Sequence, residues 1–166
     1  FFFIVGDGPD FSYLQELIEK SDISDRIKLT GFRSDIADIL STWDIYVQPS
    51  LFEGLCLTVV EAIASSLPIV ASKVGGIPES VIDGYNGFLV PPKNPEALAE
   101  KIIELIDNPE LRKTMGEKGR KIAEEKYSLD NMVNKVEELV DSLIEKNIGL
   151  IWNKNKGIWE SDRHLT

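Results

Sequence analysis

Cysteine and histidine are almost absent from this sequence: of these two types, its 166 residues include only Cys56 and His164. A single cysteine excludes a disulfide within the chain and is compatible with a reducing compartment. Zinc sites built from three histidines, or from mixed cysteine and histidine ligands, are excluded as well. With 43% hydrophobic residues, the chain is long enough for one domain with a sizeable core.

Basic residues and long apolar runs are also scarce. The 18 Lys and Arg residues face 28 Asp and Glu residues, giving a net charge of −10. This charge argues against non-specific binding to nucleic acid or to an anionic membrane face. No apolar run approaches the ~20 residues of a membrane span. The opening "FFFIVGDGP" has no charged segment before its apolar run, so we interpret it as a strand at the cut edge of a longer protein and not as a signal peptide.

Short apolar runs alternate with amphipathic segments along the first hundred residues. The runs bounded by glycine and proline predict five strands, at residues 1–5, 26–31, 44–50, 68–73 and 87–92. Apolar residues at helical spacing predict helices at residues 10–20, 35–43, 56–66, 94–108, 108–127 and 128–146. Ser34, the two Asn-Pro pairs and Ser128 are expected to mark helix starts.

Strands followed by helices predict an α/β fold, a doubly wound and mostly parallel sheet with helices on both faces and a helical C-terminal end. We predict one Rossmann-like domain over residues 1–145. The tail, residues 146–166, has two tryptophans around an "NKNKG" turn. We expect it to pack on this domain or on a missing one.

Glycines recur where the predicted strands end. They lie in four segments, residues 6–9, 30–33, 49–54 and 73–76. Ligands of open parallel sheets bind at the carboxyl ends of the strands, and glycine lets a backbone approach a ligand closely. A helix that begins near Cys56 would direct its positive end toward the same crevice, which is a suitable seat for phosphate.

Two glutamates, Glu53 and Glu61, lie eight residues apart in an otherwise apolar stretch. Burying an unpaired charge is costly, so the Glu61 carboxylate either accepts hydrogen bonds or faces out of the fold. With Thr58 and Ser65 it forms a polar stripe on the helix. The carboxylate could there accept bonds from the two hydroxyls of a ribose, or the stripe could simply be solvated. Spacing alone leaves both interpretations open.

Three segments together resemble a known family: "VGDGP", "KLTGF" and residues 44–90, "DIYVQPSLFEGLCLTVVEAIASSLPIVASKVGGIPESVIDGYNGFLV". They are similar to the donor-binding, C-terminal half of retaining glycosyltransferases of the GT-B fold, in the GT4 family. The resemblance extends from Phe1 to about Ser142. Its central motif, two glutamates separated by seven residues, is met by Glu53 and Glu61.

The resemblance implies a role for each matching residue. Glu61 would bind the ribose of a nucleotide-diphosphate sugar, and Glu53, the candidate catalytic residue, would contact hydroxyls of the donor sugar. The backbone of Leu57 and Thr58 would hold the diphosphate. The other expected donor-binding residues are Gly6 and Gly8 beside the sugar phosphate, Gly31, Phe32 and Arg33 at the nucleobase, and Gly54, Leu55 and Cys56 in the loop.

The resemblance also implies partners. The donor would be a UDP-, GDP- or ADP-sugar, and an acceptor sugar, glycolipid or glucan would bind through a missing N-terminal domain. Neither nucleic acid nor a metal or other cofactor is expected, and the Asp-x-Asp motif of the metal-using glycosyltransferase fold is absent. We expect a cytoplasmic protein, and association of the full-length protein with the inner membrane face is left open.

The sequence departs from the family pattern in three ways. Cys56 and Ser66 stand where many members have glycine. The basic residues that neutralise the diphosphate in the family lie upstream of Phe1, and residues 1–67 include eleven carboxylates against four basic side chains. We therefore expect the isolated chain to be inactive. A nucleotide-sugar 2-epimerase and a non-catalytic nucleotide-sugar-binding domain are the alternative functions.

Overall fold

The computed structural model describes residues 1–148 and 150–161. The chain divides into two compact units, Phe1–Trp43 and Asp44–Thr166. Both contain parallel strands connected by helices, so the predicted α/β class is confirmed. No helix in the described part of the chain is long and apolar enough to cross a membrane.

The first unit is built around a pair of parallel strands. Strand β1 (Phe2–Val5) is paired with β2 (Ile27–Gly31), and the register shifts after Ile4. Helix α1 (Phe11–Glu19) connects them, followed by a short 3₁₀ turn. The predicted strands 1–5 and 26–31 and the helix between them are therefore confirmed.

The next helix, α2, differs from its prediction. It is shorter than expected, spanning Ile36–Leu40, and its N-cap residue is Asp35 instead of Ser34. No side chain caps it, so the predicted capping role of Ser34 is wrong. The Asp35 carboxylate instead accepts two hydrogen bonds from Arg33, at 2.8 and 2.5 Å. The Asp35 side chain therefore pairs with Arg33 and does not cap the helix.

The second unit contains a three-stranded parallel sheet in the order β3-β4-β5. These strands are Tyr46–Gln48, Ile69–Ser72 and Gly87–Val90. Every residue of the central strand, β4, is buried, as is typical of a parallel strand covered on both faces. All three strands coincide with predicted ones.

The described residues of the second unit form the helices α3 (Leu57–Ala64), α4 (Ile77–Ser80), α5 (Pro95–Asp107), α6 (Pro109–Tyr127) and α7 (Leu129–Ile148). The predicted start signals are confirmed, because Asn94 and Asn108 accept the backbone N–H groups of Ala97 and Leu111, each at 3.0 Å. Ser128 accepts that of Asn131 at 3.3 Å. The sequence did not predict the one-turn helix α4.

The core of the second unit lies between the sheet and helices α5 and α6. Val70, Phe88, Leu105 and Met115 form its buried centre. Helix α3 packs closely against α6, where Gly116 lies so near the backbone that a Cβ there would be 2.0 Å from the carbonyl oxygen of Ser66. This close packing fixes the far end of α3, the helix that follows the glutamate loop, residues 49–56, which contains Glu53.

The tail forms an antiparallel hairpin of β6 (Leu150–Asn153) and β7 (Ile158–Ser161). The "NKNKG" segment makes the turn, as predicted, and the Gly157 N–H bonds the Asn153 carbonyl at 2.9 Å. The packing predicted for the tryptophan side chains lies outside the described part of the chain. So does His164.

Candidate functional site

The Glu53 carboxylate is held by two neighbours from the end of β3. Gln48 Nε2 donates to Glu53 Oε1 at 3.0 Å, and the Ser50 hydroxyl donates to the same oxygen at 2.7 Å. Gln48 Nε2 also donates to Ser50 Oγ at 2.7 Å. Glu53 is half-buried, so these bonds replace part of the water that its charge loses. The first of the two motif glutamates is therefore bound into the loop by its neighbours.

Tyr46 extends this network into the sheet. Its hydroxyl donates to Gln48 Oε1 at 2.7 Å. The pKa of Tyr46 is raised to about 12, mainly by burial and in smaller part by the nearby Cys56, Glu61 and Glu53, while a hydrogen bond with Thr58 opposes the shift. Groups from the loop and from α3 therefore surround one tyrosine hydroxyl, and this hydroxyl stays protonated near neutral pH.

Cys56 joins the Glu53 loop to α3. It is the N-cap residue of that helix, with φ 59° and ψ 70° in the left-handed region, and it is buried. Burial raises the pKa of the thiol, and the neighbouring Glu53 raises it further. Its sulfur lies 3.5 Å from Thr58 Oγ1. A protonated, enclosed thiol is suited to packing and argues against a reactive role.

The first turn of α3 has free backbone donors. Val59 and Val60 donate to the Cys56 carbonyl, at 3.0 and 3.4 Å. Within the described part of the chain, the N–H groups of Leu57 and Thr58 have no hydrogen-bond acceptor, and both residues are exposed. Such free N–H groups at a helix start are suited to an anion.

The Glu61 carboxylate, unlike that of Glu53, is not held by the neighbouring side chains that the structure describes. Glu61 lies one turn further along α3, its side chain is exposed, and its carboxylate makes no hydrogen bond or ion pair with any described residue. The buried face of α3 consists instead of Val59, Ala62 and Ile63. Glu61 thus faces out of the fold, free to be solvated or to bind a ligand.

Two glycines after β4 support the Glu53 loop from behind. A Cβ on Gly75 would lie 1.9 Å from the Glu53 carbonyl oxygen, and one on Gly76 would lie 2.7 Å from that of Gly54. Gly75 has φ +52°, and the Gly76 N–H donates to the Gly54 carbonyl at 2.8 Å. These glycines therefore serve the packing of one loop on another.

Leu55, beside Cys56, is exposed, and the other predicted site residues belong to the first unit. The Gly6 N–H bonds the Gly31 carbonyl at 2.9 Å, and a Cβ on Gly6 or on Gly8 would meet open space. Phe32 is 79% exposed. Arg33 is engaged by Asp35, which raises the pKa of the guanidinium, while Arg33 lowers the pKa of that carboxyl.

A pocket of about 200 Å³ lies where β3, β4 and β5 end. Its lining is mostly apolar, and neither Glu53 nor Glu61 contributes to it. Its lining residues are Pro49, Leu51, Ser72, Val90, Pro91, Lys93, Asn94, Pro95 and Leu98.

Sequence reasoning missed Tyr46, Gln48 and Ser50 as parts of the site. A signal was present, because alternate residues of a strand lie on one face and these three follow that spacing. Polar residues at three such positions, separated by the apolar Val47 and Pro49, indicate a network on one face of the predicted strand. The supporting role of Gly75 and Gly76 had no such signal, since the same pattern predicts an ordinary turn.

Solved structures of similar fold identify the class of protein. The crystal structure of Anabaena HepE in complex with UDP matches the chain with a TM-score of 0.78 and 29% identity, covering 84% of this chain and 40% of that chain. Sucrose-phosphate synthase from Thermosynechococcus elongatus matches with a TM-score of 0.78 and 27% identity, covering 87% of this chain and 39% of that chain. The fold is that of the GT-B glycosyltransferases, as the resemblance implied.

The family follows from the sequence comparison. The model described as glycosyl transferases group 1 matches residues 1–122. An uncharacterised glycosyltransferase of Methanocaldococcus jannaschii is 40% identical over 144 residues, which are 86% of this chain and 40% of that protein. The chain belongs to the glycosyl transferases group 1 family. It spans about 40% of the length of the first curated relatives that it matches.

Proposed function

We propose that this chain is the donor-binding half of a longer, retaining glycosyltransferase of the GT4 type. It would bind a nucleotide-diphosphate sugar, whose sugar the whole enzyme transfers to an acceptor with its anomeric configuration kept. The observation that supports this most directly is the pairing of a fixed Glu53 with an exposed Glu61, on either side of free N–H groups at the start of α3. Related proteins support the donor class, since HepE was crystallised with UDP and with UDP-glucose.

Each group has a role that follows from its chemistry. The N–H groups of Leu57 and Thr58 would bind diphosphate oxygens at the positive end of α3. The Glu61 carboxylate, one turn further, would accept both ribose hydroxyls. Glu53 would contact hydroxyls of the sugar that is transferred. In the first unit, Gly6 and Gly8 would leave room for the backbone to approach the phosphate, and the segment from Gly31 to Arg33 would border the base.

The decisive experiment compares the two glutamates in the full-length protein. We expect Glu61→Ala to weaken binding of bare UDP or GDP by about 1.5–3 kcal/mol, the range for hydrogen bonds to a charged group. Glu53→Ala should leave the bare nucleotide nearly unaffected and weaken only the nucleotide sugar. Isothermal titration calorimetry with both ligands measures this contrast. If the Glu61→Ala protein binds nucleotide as well as the parent, Glu61 is a solvated surface residue and the proposal is wrong.

A nucleotide-sugar 2-epimerase of the same fold is the alternative enzyme. Transfer releases the nucleoside diphosphate only when an acceptor is present, whereas epimerisation yields an altered donor or free nucleotide without one. Measuring free UDP or GDP with and without acceptor therefore separates the two reactions.

We propose that transfer needs no metal ion, as in most enzymes of this type, so it should persist in EDTA. We place the protein in the cytoplasm.

A further inference from the structure

The hydrogen bonds that Gln48 and Ser50 donate to Glu53 both end on one of its two oxygens. Gln48 Nε2 and Ser50 Oγ both donate to Oε1, at 3.0 and 2.7 Å, and Gln48 also donates to Ser50 Oγ. The three side chains thus form a closed triangle. Two donors that converge on one carboxylate oxygen fix the rotation of the whole group, and neither of them occupies Oε2.

The triangle is itself anchored in the sheet. Tyr46 donates to Gln48 Oε1 at 2.7 Å, so the amide oxygen of Gln48 faces the tyrosine and its NH₂ group faces Glu53. Tyr46 and Gln48 both belong to β3, which is hydrogen-bonded to the fully buried strand β4. The anchor is therefore among the more rigid parts of this unit, while Glu53 itself lies on a loop between two exposed residues, Phe52 and Gly54.

We propose that Gln48 and Ser50 are positioning residues for Glu53: they hold Oε1 and so present Oε2 to a hydroxyl of the donor sugar. Tyr46 acts one bond further back, by fixing the orientation of the Gln48 amide. This inference rests on the proposed role of Glu53 in binding the sugar. Its physical basis is preorganisation, since a carboxylate already held in one orientation loses less entropy on binding and meets the sugar in the correct geometry.

The test uses the full-length protein with Ser50→Ala and Gln48→Leu. Each variant removes one donor to Oε1, and we expect kcat/KM for the nucleotide sugar to fall on the order of tenfold, as for loss of a hydrogen bond to a charged group. The Kd of the bare nucleotide should change less than about twofold, because Glu53 is not expected to touch the nucleotide. Ser50→Thr keeps the hydroxyl and should restore most of the activity. Tyr46→Phe should show a smaller loss.

Two controls separate positioning from stability. Ser142→Ala removes a serine hydroxyl that bonds a carbonyl of its own helix, α7, at 2.8 Å, and it should leave both constants unchanged. Ser50→Ala added to Glu53→Ala should cause no further loss, because Ser50 acts only through Glu53. Urea unfolding of each variant shows whether it is folded, and Ser50→Ala, the smaller change, decides the matter if Gln48→Leu unfolds.

The results distinguish this inference from the proposed function. If Glu53→Ala weakens nucleotide-sugar binding but Ser50→Ala and Gln48→Leu do not, the positioning role is overturned and the proposed function stands. If Ser50→Ala lowers activity equally with and without Glu53, Ser50 acts by another route and the inference is also overturned. A parent protein that binds no nucleotide sugar overturns both.

Discussion

Tyr46 lies in the sheet, and groups of the Glu53 loop and of α3 act on its hydroxyl, whose pKa is raised. Because burial raises its pKa to about 12, against about 10 for an unfolded tyrosine, the unfolded protein loses this proton first as the pH rises. The corresponding stability is fully present below about pH 10 and is lost as the pH rises through about 12.

We therefore expect the free energy of unfolding to decline between about pH 10 and 12, by up to about 2–3 kcal/mol from this group. Tyrosine absorbance during an alkaline titration should show a late step that Tyr46→Phe removes. Urea unfolding of the parent and of this variant at pH 8 and pH 11 measures the linkage. If the free energy of unfolding of the parent and of Tyr46→Phe declined equally, groups other than Tyr46 would be responsible.

Gly75 offers a second test at the scale of one residue. In Gly75→Ala the new Cβ would lie 1.9 Å from the Glu53 carbonyl oxygen, so the loop must shift. Gly84 is the matched control, since it has a similar positive φ, +71°, but open space around its Cα. We expect Gly84→Ala to cost about 1 kcal/mol of backbone strain and Gly75→Ala to cost roughly 1–3 kcal/mol more. Chemical denaturation measures both, and equal costs would contradict the close packing.

Among the helices, α3 and α6 depend on glycine for their close contact. Gly→Ala inside a helix normally stabilises by about 1 kcal/mol, but a Cβ on Gly116 would lie 2.0 Å from the Ser66 carbonyl oxygen. We expect Gly116→Ala to destabilise the protein by roughly 1–3 kcal/mol. Glu117→Ala, at the exposed neighbouring position, should change stability by less than about 0.5 kcal/mol. A stabilised Gly116→Ala protein would show that the helices can move apart freely.

Most elements could be predicted because their signals are local. The Asn-Pro pairs before α5 and α6 satisfy backbone N–H groups within three residues, so sequence alone identified them. The start of α2 could not be found in this way, because Arg33 competes for the side chain of Asp35. Helical periodicity predicted α7 but not its exposure: Met132, Val136 and Leu139 are 55%, 54% and 59% exposed. Whether the apolar face of a helix is buried depends on the elements that pack against it, and the spacing of apolar residues within the helix does not reveal them.

The site was predictable to a similar extent. The spacing of Glu53 and Glu61 identified both glutamates, yet it left open which of them is held by neighbours. That distinction depends on Gln48 and Ser50, which reach Glu53 only after the chain turns back at the end of β3. Cys56 and Ser66 have left-handed backbone, with φ 59° and 60°, a conformation that glycine adopts at the least cost and that sequence spacing does not reveal.

At the scale of the whole molecule, the 166-residue chain should bind nucleotide weakly and transfer no sugar. The chain spans about 40% of the length of the first curated relatives, so we expect its affinity for UDP or GDP to lie in the high micromolar range or weaker, about −5 kcal/mol or less favourable. NMR titration should shift signals at residues 6–9, 31–33 and 53–61. Shifts confined to residues 95–145, or sugar transfer by the chain alone, would contradict this assignment.

The contact of Gly75 and Gly76 with the Glu53 loop has a consequence for protein engineering. The two segments are separated by about twenty residues of sequence but share one backbone interface, so neither can be lengthened or exchanged by itself. A loop taken from a relative with a different sugar preference should be transplanted together with its own turn after β4. If the glutamate loop were transplanted alone, its backbone would clash with Gly75 and Gly76, which fit the original loop. We expect such a chimera to misfold, so that a change in sugar preference could not be measured.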